Sequence, residues 1–451
     1  MGGVLYTIIS FLVAIAILVA IHEFGHFWVA KKLGVKVLRY SIGFGKTLWM
    51  KRAGPDQTEY VIAALPLGGY VRMLDEREAD VPESEKHRAF NRQPVWKRFL
   101  IVLAGPAFNF FLAILIYWAI AVVGVTGLKS SIGQVEEDSL AARAGLQPGM
   151  EIVSVEGWST PTWESVFQEA LPRLVERSSL TIEAKDSQGF VRTYNLDLSG
   201  IDPDRDIKRP FDALGLYFFD FPAIIDDVVK DQSADKAGLK PGDEIIQVGD
   251  KAITHWSQIG GTISDKANVP LDVTVLRDGK SMTFTVTPYE VKHKGESFGR
   301  LGIIQKRPPI SEEQKVSHEL GVFESVGYAL HRTWNISYVT LRVLGLMVTM
   351  EMSVTNISGP INIAVVAGES ASIGWDRYII FLALVSISLG ILNLLPIPIL
   401  DGGHLLYYLV EIIKGSPVSE TTEAIGQRIG ILMLVMLMML AFYNDIVRLS
   451  L

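Results

Sequence analysis

Four stretches of the chain carry no charged side chain over a length close to that needed to cross hydrocarbon: Met1 to Ile21, Phe99 to Leu128, Tyr378 to Leu400 and Ile429 to Asn444, the last extended by Ala424 to Gln427. Each is expected to form a transmembrane helix, because about 20 apolar residues rising 1.5 Å each cover a ~30 Å core. The first run lacks a basic n-region and a small-residue cleavage site, so it reads as a retained helix and not a signal peptide. Beyond it the period changes from helix to strand. Val35-Lys36-Val37, Ser41 to Gly45 and Tyr60 to Val71 are β-prone and punctuated by glycine, which predicts a hairpin. Ser311 to Leu330 is polar and amphipathic. Trp334 to Met352 has helical apolar spacing broken by Arg342 and Glu351, which suits a helix lying along the interface. Asn356 to Ile363 reads as a Gly-Pro turn before the third span.

Residues 130 to 308 have a soluble composition and an internal repeat. Asp138 to Gly149 reads DSLAARAGLQPG and Asp231 to Gly242 reads DQSADKAGLKPG, each followed by an acidic-apolar strand pattern and a tryptophan. Each copy later reaches a Leu-Gly-aliphatic step, Leu214-Gly215-Leu216 and Leu301-Gly302-Ile303, whose backbone amides are candidate receptors for a peptide carboxylate. The AGLxPG signature resembles tandem PDZ domains of the permuted bacterial type, modules that also serve as spacers or lids. The expected fold class is a polytopic α-helical membrane protein with four transmembrane helices, a membrane-associated β-hairpin region and two tandem α+β PDZ-like domains. Its expected parts are a first span at 1–30, a cytoplasmic segment with a re-entrant hairpin at 31–98, a second span at 99–128 and PDZ-like domains at 129–220 and 221–308. An amphipathic interfacial region at 309–376, a third span at 377–401, a cytoplasmic loop at 402–423 and a fourth span at 424–444 follow.

Composition sharpens this picture in three ways. A chain of 451 residues that is 49% hydrophobic fits a membrane protein of several domains. The absence of cysteine excludes a disulfide framework and thiolate ligation, so any metal must take nitrogen and oxygen donors. The net charge of −7 comes with no basic stripe, and no nucleic-acid partner is expected. Basic residues cluster between the first two spans, at Lys31, Lys32, Lys36, Arg39, Lys46, Lys86, Arg88, Arg92, Lys97 and Arg98. The flanks of the next segment hold only Lys129, Arg143 and Arg377. Residues 31 to 98 are therefore expected in the cytoplasm and 129 to 377 outside, with both termini outside.

Chemistry concentrates in two places. His22-Glu23-Phe24-Gly25-His26 lies within the first apolar run, and residues four apart share a helix face, so both imidazoles can reach one metal ion with Glu23 beside them. A cluster that merely caps a buried helix is the alternative, but three ionisable groups in an apolar span are costly. The third span ends in Asn393-Leu394-Leu395-Pro396-Ile397-Pro398-Ile399-Leu400-Asp401-Gly402-Gly403-His404. Its two prolines break the helix, and Asp401 follows as the oxygen donor that a two-histidine site needs. Both His22 and Asp401 lie roughly 22 residues into spans running inward, hence at similar depth. Asp401 could instead cap the helix that follows. Asn393 is a candidate for binding substrate backbone or an oxyanion, or a structural amide. Gly105-Pro106-Ala107-Phe108-Asn109 permits close helix approach and a kink, with a catalytic contribution equally open.

Taken in order, HEFGH, the GFG and PLGGYV stretches, the AGLxPG repeat and NLLPIPILDGGH resemble the site-2 proteases over nearly the whole chain. The pairing of HExxH with a distant LDG in spans is specific to that family. The resemblance implies Zn2+ held by His22, His26 and Asp401, Glu23 as general base and acid, and Asn393 as a substrate-binding residue. It implies intramembrane cleavage, within the lipid bilayer of the bacterial inner membrane, of single-span proteins already cut on the periplasmic side. An anti-sigma factor of the envelope stress response and remnant signal peptides would be such substrates. The termini and PDZ-like domains would be periplasmic, the active site would lie towards the cytoplasm, and the modules would act as a size filter. An inactive PDZ-bearing scaffold is the alternative and predicts no zinc dependence. A metal transporter suits the sequence less, because the polar groups form one site and not a chain of sites.

Overall fold

The computed structural model describes residues 2–207, 209–219, 222–293, 296–306 and 310–449. The expected boundaries at 220/221 and 308 lie outside these residues. The chain divides into two compact units, Met1–Val125 with Ser317–Ser450, and Thr126–Val316.

The first unit is a bundle of helices with one long hairpin. Helix α1 (Gly2–Lys32) leads into strands β1 (Val37–Ala53) and β2 (Thr58–Met73), followed by α2 (Val95–Val123). The chain re-enters the unit as α3 (Glu324–Val348), α4 (Pro360–Ile373), α5 (Trp375–Leu394), α6 (Asp401–Lys414) and α7 (Glu420–Leu449). Segments of α1, α2, α5 and α7 are long and apolar enough to cross a membrane, as the four charge-free runs predict. Their outward faces are apolar, with Val4, Leu5, Phe111, Leu384 and Met439 all exposed, the pattern of helices solvated by lipid.

Small residues let the helices meet. Ala14 and Leu18 of α1 pack with Ala367 of α4 and with Phe381 and Leu382 of α5. Ala113 and Tyr117 of α2 pack with Ala329 of α3 and with Ala383, Ile387 and Ile391 of α5. Two elements depart from the periodicity reading. Helix α3 starts ten residues before Trp334 and packs Ala329 into that cluster, so its N-terminal half is part of the bundle. The Gly-Pro turn opens a further helix, α4, with Pro360 at its first position, where the missing N–H costs nothing. Buried Asp445 of α7 accepts from the backbone amides of Gly359, Ile361 and Asn362, closing the free donors of that N-terminus.

The hairpin is longer than its β-prone pieces suggest, since β1 and β2 pair antiparallel from Val37↔Met73 out to Ala53↔Thr58. Gly43 (φ +93°) and Gly45 (φ +84°) break its register midway, and Phe44, Leu48, Trp49, Met50 and Leu65 are exposed around the break. An apolar, exposed ribbon joined to membrane helices is membrane-associated.

The second unit contains the two repeats, which fold alike. In the first, strands run in the order Trp158–Ser159, Glu151–Val155, Ser179–Lys185, Val191–Asp197; in the second, Lys251–Ala252, Glu244–Val248, Leu271–Arg277, Lys280–Val286. Each has a helix after the tryptophan-bearing turn, Trp163–Glu176 and Trp256–Ile263. The repeated motif is explained by backbone: Gly145 and Gly238 both cap short helices in the left-handed conformation at φ +93° and +89°, which side chains resist. These are two PDZ-like modules, each with its own core.

One buried position changes from apolar to charged between the copies. Where the first has Met150, the second has Asp243, 1% exposed and held by Arg277 through Nε to Oδ1 (2.6 Å) and Nη2 to Oδ2 (2.7 Å). Burial pushes the Asp243 carboxyl up, but the guanidinium and the Lys240 amide outweigh it and hold it below the usual range. A depressed folded pKa contributes stability that is complete above the unfolded value near ~3.9 and is lost as pH falls through the folded one. Asp243→Asn is expected to cost the second module about 3 kcal/mol at neutral pH and to flatten that acid limb. Hydrogen exchange of the full chain checks this, with the first module as unaffected control.

Candidate metal centre

The centre is assembled where α1, α2 and the start of α6 converge. On α1, His22 and His26 project from one face one turn apart, as their spacing requires. Helix α2 lies against them at very close range. A Cβ on Gly25 would strike the Ala104 carbonyl, with its carbon at 2.8 Å, and a Cβ on Gly105 would strike His26 Nε2 and lie 2.8 Å from His22 Cε1. Two glycines on facing helices thus leave the room in which the imidazoles stand.

Asp401 reaches the same point from another part of the chain. The Leu394–Pro398 break doubles back over the first turn of α6, and Gly402 and Gly403 are needed because any Cβ there would overlap the backbone of Leu394, Leu395, Ile397 and Pro398. One turn before the end of α6, Glu411 binds Arg98 of α2 (Nη2 to Oε1, 2.6 Å), and that guanidinium stacks over Tyr408 at 4.9 Å. Helix α6 is thereby fastened to α2 near its C-terminal end, while Asp401 at its start meets the histidines of α1.

The three donors are His22 Nε2, His26 Nε2 and Asp401 Oδ2. Their separations are 3.1 Å (His22 to Asp401), 3.4 Å (His26 to Asp401) and 3.3 Å (between the imidazoles). They form the metal-capable cluster found among the described residues. Tetrahedral ligands at about 2.0–2.1 Å from an ion stand about 3.3–3.4 Å apart, so the triangle has the edge length zinc requires. The other ring nitrogens are engaged elsewhere, His26 Nδ1 with the Ile101 carbonyl (2.8 Å) and His22 Nδ1 with Asn109 Nδ2 (3.2 Å). Asp401 Oδ2 is buried and has no hydrogen-bond donor among the described residues. An orphaned carboxylate oxygen beside two convergent imidazole nitrogens fits zinc.

Glu23 is half-buried beside this triangle, and its carboxylate receives no hydrogen bond from the described residues. Gly69 of β2 passes so close that a Cβ there would lie 2.9 Å from Glu23 Cγ and 2.7 Å from the Ser41 carbonyl oxygen. Tyr40 of β1 donates its hydroxyl to the Ala20 carbonyl of α1 at 2.8 Å, so the hairpin is tied to the helix that carries Glu23. Asn393 lies on the last turn of α5, half-buried and without a side-chain hydrogen bond among the described residues.

The Leu-Gly-aliphatic steps lie in the second unit, and their backbone is already employed there. Leu214 and Leu216 are buried, the Gly215 amide donates to the Asp212 carbonyl (3.1 Å) and Glu136 donates to the Gly215 carbonyl (2.9 Å). The Leu301 and Gly302 carbonyls accept from Ala234 and Val229, each at 2.8 Å, and Ile303 pairs with Val228. Both steps therefore close their own module, and the Gly215 amide in particular is not free to receive a carboxylate. Gly105 and Asn109 entered the sequence reading as part of a helix-contact motif with a catalytic contribution left open. Their relation to the histidines was signalled by their spacing, since residues four apart on α2 face one way.

Comparisons with known proteins agree with this site. The model of peptidase family M50 matches residues 10–437. A regulator of sigma E protease from Salmonella typhi is 39% identical over 453 residues, covering all of both chains. The regulator of sigma-E protease of Escherichia coli is 40% identical over 449 residues, 99% of each. A candidate zinc metalloprotease of Vibrio cholerae is 41% identical over the full length of both. Because the family match begins inside the first helix, ends inside the last and takes in all three donors, the chain belongs to peptidase family M50, as a multi-pass membrane zinc metalloprotease.

Proposed function

We propose that this enzyme cleaves membrane-spanning segments of single-span proteins, with His22, His26 and Asp401 holding the zinc and Glu23 moving the protons. The observation that carries the reading is the triangle of three donor atoms 3.1–3.4 Å apart with an unbonded carboxylate next to it. Zinc, when bound, acidifies water and polarises a carbonyl. Glu23 takes a proton from the attacking water at its carboxylate and passes it to the departing amine nitrogen. Asn393, whose side-chain amide has no hydrogen bond among the described residues, serves to hold substrate backbone near the break. The hairpin, tied to α1 at Tyr40, offers strand edges to a segment unwound from its helix, which otherwise has no backbone partners in lipid.

The relatives named for regulating sigma E support a role in the envelope stress response, with an anti-sigma factor and remnant signal peptides as substrates. The basic residues between the first two spans support an inner-membrane topology with that segment cytoplasmic, both termini periplasmic and the active site towards the cytoplasm. With the domain extents 129–220 and 221–308, both PDZ-like modules fall between the second and third spans and, on that topology, outside. Modules on that side take no part in chemistry. They exclude partners that still carry a bulky outer domain and admit trimmed ones, and in the first module the Gly215 amide, already given to the Asp212 carbonyl, favours exclusion over carboxylate capture.

The test is one substrate in trimmed and untrimmed forms, presented in liposomes to the intact chain and to a variant lacking 129–308, with zinc content measured on both. The intact chain should cut only the trimmed form, and the deletion variant both forms, at equal zinc content. Loss of activity on both forms rejects the filter, and cleavage independent of zinc rejects the protease site.

A further inference from the structure

We infer that Asn109 is a positioning residue for the metal centre, acting through His22; the inference rests on the assignment of His22 as a zinc ligand. Asn109 is fully buried on α2, one turn after Gly105, and its side-chain amide stands 3.2 Å from His22 Nδ1. Its own backbone is pinned, because the Ser386 hydroxyl of α5 donates to the Asn109 carbonyl at 2.8 Å. The amide is thus held at a fixed point between three helices, with one end against the imidazole.

The chemistry of ligation says what that end must do. An imidazole that offers its Nε2 lone pair to a metal keeps its proton on Nδ1, and that N–H, turned toward the buried Asn109, needs an acceptor on the protein. His26 has such an acceptor in the Ile101 carbonyl. For His22 the group at Nδ1 is Asn109, whose carbonyl oxygen Oδ1 is buried and has no partner among the described residues. The oxygen and the NH2 of a carboxamide are nearly the same shape, so a half-turn about its last bond brings Oδ1 to Nδ1 without moving the backbone. In that orientation the orphaned oxygen accepts the Nδ1 proton, the tautomer with a free Nε2 is selected, and the ring is held facing His26 and Asp401. Gly105 and Asn109 then divide the work of one face of α2: the first leaves space for the rings and the second orients one of them.

The discriminating variants are Asn109→Leu, which keeps the volume and removes both polar ends, and Asn109→Asp, which keeps an acceptor and removes the donor. Zinc affinity of the full chain is measured by chelator competition, and the ligand field by the absorption of the cobalt-loaded protein. Asn109→Leu should bind zinc about 10–100-fold more weakly, with one ion per chain still reached at saturation and an altered cobalt spectrum. Asn109→Asp should stay within about threefold of the parent, because its oxygen accepts the same proton. Parental affinity and spectrum in Asn109→Leu would overturn the inference. If that variant does not fold, Asn109→Asp decides alone, and a loss beyond tenfold there means that the acceptor was not what mattered. Failure of His22→Ala to lower zinc affinity would instead reject the ligand assignment beneath it.

Discussion

Glu23→Gln is expected to lower kcat about 1,000-fold while zinc content and fold stay unchanged, the range over which a positioned proton-transfer group contributes. Gln has the same length and can occupy the same half-buried place beside Gly69, so packing against β2 is preserved. It cannot accept a proton from water, and it cannot return one to the leaving amine. Since no neighbour holds the carboxylate by a hydrogen bond, the substitution breaks nothing else in the described structure. Single-turnover cleavage of a trimmed substrate, with metal analysis of the same sample, is the measurement. Retained turnover would remove Glu23 from the mechanism, whereas loss of zinc would make it a structural member of the centre.

Gly105→Ala is the second large effect, and it should appear in binding before it appears in rate. The added methyl would fall on His26 Nε2, the atom that must face the metal, and the ring cannot simply turn away because its Nδ1 is held by the Ile101 carbonyl. Either the imidazole is displaced or α1 and α2 separate, which the Gly25–Ala104 contact opposes. With one of three donors misplaced, zinc affinity should fall at least about 100-fold, beyond the effect of losing an outer partner. Chelator competition measures it. Gly105→Ala at parental affinity would show that the helices can part there at no cost. Comparison with Asp401→Ala separates displacing a donor from deleting one.

Much of this protein was legible along the chain because the deciding physics is local. An unbroken apolar run must be a helix in lipid, since each backbone group there needs a partner within its own segment, and four such runs became four candidate spans. The His22–His26 interval places two imidazoles on one helix face whatever surrounds it, and the AGLxPG repeat reports a left-handed helix cap that glycine alone adopts easily. Even the convergence of Asp401 with the histidines could be anticipated, because position along a span measures depth in a bilayer. Depth is one coordinate of three. Which residue of α2 would stand at His22 Nδ1, which glycine would clear room for His26, and how far the hairpin would run all depend on contacts between segments tens to hundreds of residues apart. The same holds for the Gly-Pro turn, which becomes a helix because Asp445, 85 residues after Pro360, is there to accept its amides. Periodicity carries no information on such pairs; only the packed structure, in which small residues decide how near two backbones come, determines them.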